Sequence, residues 1–378
     1  MFRRRLNILT FKGIPIGVDT SWFFIAVLVC WSLAAGYFPL QFPGFTPILY
    51  WSMGLAGMLG LFICIILHEL GHALVATKYG VPVAQITLFI FGGVAELKKE
   101  ATTPFVEFAV AVAGPVVSVV LAAIFYVATE MGILYGLPAW ATGVTSYLWM
   151  INTLIVLFNL VPAFPLDGGR ILRSIIWAKT KDLRKATKIT TLMGSGFGFF
   201  LLVFGIINFF TGELILGVWF FILGLFLQRT AVLSQTRFCI NEELKEEKVT
   251  KFMKTAIDGV SGSITVQDLI DHHLYQTHHH LYPVVEENRL TGYVNLSRIK
   301  EIPPEDRGRT LVRQVMLAPT EEQLISPTKS AMEALEQINA SPFPTLFVIE
   351  GGKFIGLLTP QDLLKLVSLK LELNDTHK

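Results

Sequence analysis

Leu61-Phe62-Ile63-Cys64-Ile65-Ile66-Leu67-His68-Glu69-Leu70-Gly71-His72 decides how this chain is read, because an apolar run leads straight into a His-Glu-x-x-His pentad. The surrounding stretch, residues 49–79, is long and apolar enough to cross a membrane. Residues four apart share one face of a helix, so His68 and His72 project side by side and can hold one zinc ion, with Glu69 placed to handle a water beside it. In a soluble helix the same pattern is often two exposed histidines and a solvated glutamate. A span has no solvated face, and ionisable groups at that depth are costly to leave unpaired, which favours a metal site.

Working outward, apolar residues make up 52% of the 378-residue chain and charged residues only 16%, against roughly 25% charged in a soluble domain. The depletion is uneven: long apolar runs fill residues 1–240, whereas 241–378 have the make-up of a soluble α/β segment. Six segments are long enough to span, at about 22–38, 49–79, 105–129, 140–164, 189–210 and 214–233. The pattern predicts a polytopic α-helical membrane protein of about six transmembrane helices with a small membrane-associated β-hairpin, followed by a soluble α/β module. Arg3, Arg4 and Arg5 resemble the start of a signal peptide, but no small-residue cleavage pattern follows, so the first segment is kept as a span.

Placing both termini in the cytoplasm puts Arg3, Arg4, Arg5, Lys12, Lys78, Lys98, Lys99, the basic run 170–188, Arg229 and Arg237 on the inner side. The outer connections near Gln41, Glu130 and Glu213 then lack Lys and Arg, as the positive-inside rule requires of an even number of spans. The net charge of +2 adds nothing, and without a basic patch interleaved with aromatics no nucleic-acid partner is expected. Cys30, Cys64 and Cys239 read as unpaired packing residues.

Two histidines need a third protein ligand if one position on zinc is to stay open for water. Among the carboxylates near spans, Glu96, Glu107, Glu130, Asp167 and Glu213, the best placed is Asp167. It follows Pro162 and Pro165 and precedes Gly168 and Gly169, on the membrane side that the topology assigns to His68 and His72. Irregular backbone at that depth is tolerated only where protein or a watery cavity surrounds it. The alternative is that Asp167 caps the helix beginning near Arg170.

His68-Glu69-Leu70-Gly71-His72 with Asn159, Pro162 and Leu166-Asp167-Gly168 resembles the site-2 protease family of intramembrane zinc metalloproteases, over about residues 10–235. Phe91-Gly92-Gly93, and Ala113-Gly114-Pro115 with Ser118, agree with it; many relatives carry Asn where this chain has Ser118, a departure that touches substrate contact rather than the metal. The resemblance implies zinc held by His68, His72 and Asp167, Glu69 as general base, Asn159 near the substrate, and hydrolysis of a peptide bond in or near a transmembrane segment of a membrane-protein substrate. It also implies a multi-pass protein of a prokaryotic cell membrane.

Residues 81–97 are β-rich and alternate, with Gly92 and Gly93 as the turn between two short strands. One reading is a plain connection between spans. The other is an edge strand beside the zinc, able to pair with a substrate segment that has been unwound for cutting.

In the C-terminal part, 284–292 aligns without a gap on 348–356, a repeat of 64 residues in which each copy is strand, turn, strand and helix. This is similar to a tandem pair of cystathionine-β-synthase-type (CBS) domains over about 247–371. The boundaries expected are 1–235 for the transmembrane metalloprotease domain, 236–246 for a linker, 247–310 and 311–371 for the two repeats, and 372–378 for a tail. Such pairs commonly bind adenine nucleotides, and the resemblance gives Thr359 to phosphate and Asp362 to ribose, with one ATP or AMP as regulatory ligand. The first copy has Asn295 and Arg298 instead, so a second site is not expected; the alternative for Asp362 is that it merely starts a helix. CBS pairs also offer a route to a homo-oligomer. His272, His273, His278, His279 and His280 lack metal-ligand spacing and read as a polar turn.

Two other functions compete. A CBS-gated divalent-cation transporter or channel explains intramembrane acidic and histidine residues but not Glu69 between the two histidines. A catalytically inactive binding relative is opposed by the intact Glu69.

Overall fold

Two antiparallel strands open the described chain, β1 (Arg5–Phe11) and β2 (Ile14–Asp19), joined by Lys12 and Gly13 at φ 48° and 80°. Positive φ at both turn positions matches the twist of a two-residue hairpin. The computed structural model describes residues 5–90, 92–97, 100–245, 247–255, 259–274, 281–341 and 344–365. The sequence did not suggest β1, because Leu6, Ile8, Leu9 and Phe11 make it apolar on both faces and erase the alternation that marks a half-buried strand.

β2 continues in parallel onto β3 (Val83–Phe89), through Ile16↔Ile86, Gly17↔Thr87 and Val18↔Leu88, and β3 pairs antiparallel with β4 (Gly92–Leu97). The expected hairpin is therefore half of a four-stranded sheet ordered β1-β2-β3-β4. Gly92 and Gly93 open β4 instead of forming the turn, Gly92 entering at φ 126°, a value side chains rarely adopt. Phe91 lies outside the described residues.

Six helices are long and apolar enough to cross a membrane. The first, Thr20–Gln41, consists of α1 (Thr20–Ser32), a π-helical turn (Leu33–Tyr37) and α2 (Phe38–Gln41). The others are α3 (Pro47–Lys78), α4 (Pro104–Leu134), α5 (Ala139–Asn159), α7 (Leu183–Phe210) and α8 (Leu214–Lys245). Thr46 and Thr103 cap α3 and α4 by accepting from the N–H of Leu49 and Val106, each followed by a proline in the first turn. The sheet packs on α3: Ile14, Ile16 and Ile86 bury against Ala73 and Leu70, and Val18 and Leu88 against Phe62 and Met58.

Two boundaries differ from expectation. α5 stops at Asn159, because Pro162 and Pro165 follow and the chain turns through 160–166 into the short helix α6 (Asp167–Thr180). α8 runs through most of the stretch read as a linker, since nothing after Gly224 breaks it: no Gly or Pro follows before Lys248. Cys30, Cys64 and Cys239 stand in no disulfide.

Contacts divide the chain into Met1–Gln235 and Thr236–Lys378. In the second unit the hairpin β5 (Leu281–Glu286) and β6 (Arg289–Asn295) is repeated by β8 (Leu346–Glu350) and β9 (Lys353–Leu358), with β7 (Leu324–Ile325) beside β8. Both hairpins carry a bulge at matching places, Val284/Val285 and Val348/Ile349. Each copy buries its own core, one around Val266, Val284 and Val312, the other around Ala334, Leu346 and Leu358, and the rings of Tyr293 and Phe347 meet at 5.4 Å. His278, His279 and His280 lie outside the described residues; His272 and His273 sit on the π-helical turn Ile270–Leu274.

Candidate metal centre

The i, i+4 spacing on α3 puts His68 and His72 on its buried face, each 4% exposed. α4 crosses α3 closely at Gly71, where a Cβ would touch Val117 and the carbonyl of Ala113. A stripe on α4 spaced by four, Val110, Gly114 and Ser118, thereby faces the imidazoles. His72 Nδ1–H donates to the Val110 carbonyl at 2.6 Å, and His68 Nδ1 lies 2.9 Å from Ser118 Oγ. A carbonyl can only accept, so the proton of His72 sits on Nδ1 and the lone pair on Nε2. Gly114 leaves the space between the two Nε2 atoms open; a Cβ there would overlap both.

Asp167 enters from the other side. It is the first residue of α6, buried, and makes no cap, Leu166 holding the N-cap position without a side-chain bond. Its Oδ2 lies 3.2 Å from His68 Nε2 and 3.3 Å from His72 Nε2, and the two Nε2 atoms are 3.2 Å apart. A tetrahedral zinc ion with bonds of 2.0–2.1 Å separates its ligand atoms by about 3.3 Å, so the triangle fits such an ion. Among the described residues this is the one group of three that could hold a metal.

The break before α6 is clamped from three directions. A Cβ on Gly168 would overlap the Leu160 carbonyl, one on Gly169 the backbone at Ala163 and Phe164, and one on Gly194 of α7 the Phe164 carbonyl. Arg173 lies over the Phe164 ring at 5.3 Å and donates from Nε to Glu107 Oε1 at 2.6 Å, tying α6 to the first turn of α4. Glu107, a carboxylate candidate from the sequence, is thus neutralised by Arg173 and stands apart from the metal group. With Glu107 1% exposed and Arg173 13%, removing one partner leaves a buried charge. Glu107→Gln is expected to cost about 3 kcal/mol, read as a fall in the melting temperature of detergent-solubilised protein. The double change Glu107→Leu with Arg173→Met should recover most of that loss.

Glu69 is half-buried, and its Oε2 accepts from the Ala95 N–H of β4 at 3.1 Å. His68, Glu69, His72 and Asp167 line one cavity of about 850 Å³ together with Gly92, Gly93 and Asn159. Its other walls are largely apolar, from Leu154 and Phe158 of α5 and Trp219, Phe220 and Phe226 of α8. Of the membrane-part residues singled out in the sequence, His68, Glu69, His72, Gly92, Gly93, Asn159 and Asp167 line this cavity, whereas the carboxylate candidates Glu96, Glu107, Glu130 and Glu213 do not. Val110, Ala95 and Arg173 were missed, and Ser118 Oγ lies beside the His68 imidazole. The four-residue spacing of 110, 114 and 118 was the available signal.

The profile of Peptidase family M50 matches residues 56–139 and 131–204, and that of the CBS domain matches 249–305 and 312–369. Zinc metalloprotease MJ0392 of Methanocaldococcus jannaschii is 31% identical, over 84% of this chain and 86% of its own. The Synechocystis protein sll0528, whose name carries the same zinc metalloprotease designation, is 33% identical over 93% of both chains. The solved site-2 protease from M. jannaschii is 27% identical with a TM-score of 0.42, covering 61% of this chain and 95% of its own. Likeness at this identity along nearly the whole length makes the chain a member of Peptidase family M50, the site-2 protease family: a multi-pass membrane zinc metalloprotease that carries a tandem pair of CBS domains.

Proposed function

We propose that the protein cuts a peptide bond within or near a transmembrane segment of a membrane-protein substrate, with zinc held by His68, His72 and Asp167. The observation that carries this is the triangle of ligand atoms at 3.2–3.3 Å, next to Glu69, in an apolar-walled cavity among the spans. An ion held by these three residues would supply Lewis-acid polarisation of the scissile carbonyl and a more nucleophilic water. Glu69 takes the proton of the attacking water and returns it to the leaving amide nitrogen, a transfer its place in the cavity allows. Val110 and Ser118 fix the imidazoles, and Asn159 at the end of α5 contacts the substrate backbone. The outer side of β4, the last strand of its sheet, lies along the cavity, where an unwound substrate segment can add as a strand. The distribution of Lys and Arg supports both termini on the inner face, and bacterial and archaeal relatives support a prokaryotic cell membrane. Comparing membrane proteomes of cells with wild-type protein and cells without it tests the reading: a membrane protein should persist uncut, and identical proteomes would refute it.

We infer further that the CBS pair takes one adenine nucleotide, at its second copy, and that this modulates cleavage. Support comes from polar groups gathered there: Thr359 Oγ1 donates to Asp362 Oδ2 at 2.6 Å, and Lys254 Nζ lies 3.0 Å from Asp362 Oδ1. In the first copy Asn295 caps its helix by accepting from Arg298 N–H at 2.9 Å, and Arg298 pairs with Glu301. A nucleotide changes activity only if it prefers one arrangement of the protein over another. Asp362→Ala should weaken ATP or AMP binding more than about tenfold and remove nucleotide dependence of cleavage, while Arg298→Ala does neither. Calorimetry on full-length protein beside a cleavage assay checks both; undiminished binding in the Asp362 variant refutes the site.

A further inference from the structure

β4 is the last strand of its sheet, and its pairing register decides which of its groups face outward. Along an antiparallel pair, the N–H and C=O of successive residues point alternately toward the partner and away. Ala95 stands opposite Ile86, yet its N–H is given to Glu69 Oε2 at 3.1 Å, so residue 95 turns its polar groups away from β3 and toward α3. Two residues earlier, Gly93 lies against the stem of the same glutamate: a Cβ there would stand 2.6 Å from Glu69 Cγ and 3.2 Å from Cδ. β4 therefore touches Glu69 twice, once through a missing side chain and once through a main-chain donor.

We propose that the main-chain N–H of Ala95 is a positioning group for the reaction: it holds Oε2 of Glu69 and leaves Oε1 to serve the attacking water. The proposal rests on the reading of Glu69 as the general base. A carboxylate has two acceptor oxygens, and a glutamate side chain left free in a cavity of about 850 Å³ has several rotamers to choose among. A donor fixed in the sheet removes that choice, and a hydrogen bond to a charged group is among the stronger ones available. Gly93 complements it by letting the strand lie close enough for the bond to form. The arrangement also restricts the strand edge itself. A substrate segment docking on β4 finds the Ala95 N–H already engaged, so its carbonyls must bond elsewhere along the edge while the Ala95 carbonyl stays available to it.

The donor can be removed without removing the strand. Ala95→Pro deletes an N–H that takes no part in the β3 ladder, on an edge strand where proline is tolerated. Ala95→Gly keeps the N–H and serves as the control. With the zinc-loaded full-length protein in detergent and a fluorescent transmembrane peptide carrying a helix-breaking Asn-Pro pair, Ala95→Pro should keep wild-type zinc content and KM while kcat falls about tenfold or more. Ala95→Gly, which keeps the donor, should lose clearly less kcat than Ala95→Pro. A readout independent of cleavage is single-amide hydrogen–deuterium exchange at Ala95, which should speed up about tenfold or more in Glu69→Ala. Unchanged exchange in Glu69→Ala, or an unchanged kcat in Ala95→Pro, overturns the proposal. Faster exchange in Glu69→Ala together with a wild-type protein that never cuts the peptide would instead leave the contact standing and count against the protease reading.

Discussion

Purified Glu69→Gln protein is expected to carry zinc at the wild-type ratio and to cleave at least about 100-fold, and up to about 10,000-fold, more slowly. Glu69 is not one of the three grouped ligand residues, and its carboxylate accepts from the main chain of β4. Glutamine keeps an oxygen for the Ala95 N–H and nearly the same volume, so the cavity wall survives. What it loses is the ability to take a proton from water at neutral pH, and general acid–base assistance of that kind supplies the stated range. Metal analysis beside a single-turnover cleavage assay separates the two properties. Full activity would remove Glu69 from the mechanism, and lost zinc would make it a ligand.

Asp167→Ala should produce the opposite split, with metal and activity lost together. Replacing outer partners of metal ligands already costs 10- to 100-fold in affinity, so losing one of three ligands should cost more than about 100-fold. Glu107 cannot step in, because Arg173 holds it. Titration with a competing zinc chelator measures the loss; unchanged affinity would return Asp167 to the role of a residue that only starts α6.

The membrane part was legible in the sequence to the extent that its signals were local. His68, Glu69 and His72 declare themselves by helical spacing inside an apolar run, and Asp167 by the proline and glycine residues that break the chain around it. The sequence motif also pointed to Gly114, though not to the reason for it, which is an approach of two helices that leaves no room for a side chain between two imidazoles. Val110 acts through its carbonyl and Ala95 through its N–H, groups that every residue but proline shares, so no residue type could flag them. β1 was hidden for a different reason: both of its faces carry apolar residues, and periodicity then carries no sign of which way it lies. The polar end of α8 was taken for a linker on composition, when what stops a helix is the presence of breakers.

The separation of the proposed ligands along the chain has a consequence for the lifetime of the protein. His68 and Asp167 are 99 residues apart and belong to different helices. An ion bound by both acts as a removable cross-link, closing a long loop and favouring the folded form by mass action, since the unfolded chain holds no such site. Scarcity of zinc would then do more than idle the enzyme: it would loosen the attachment of α6 and raise the fraction of molecules open to cellular degradation. The abundance of the protease, and not only its turnover number, would follow the metal supply of the cell.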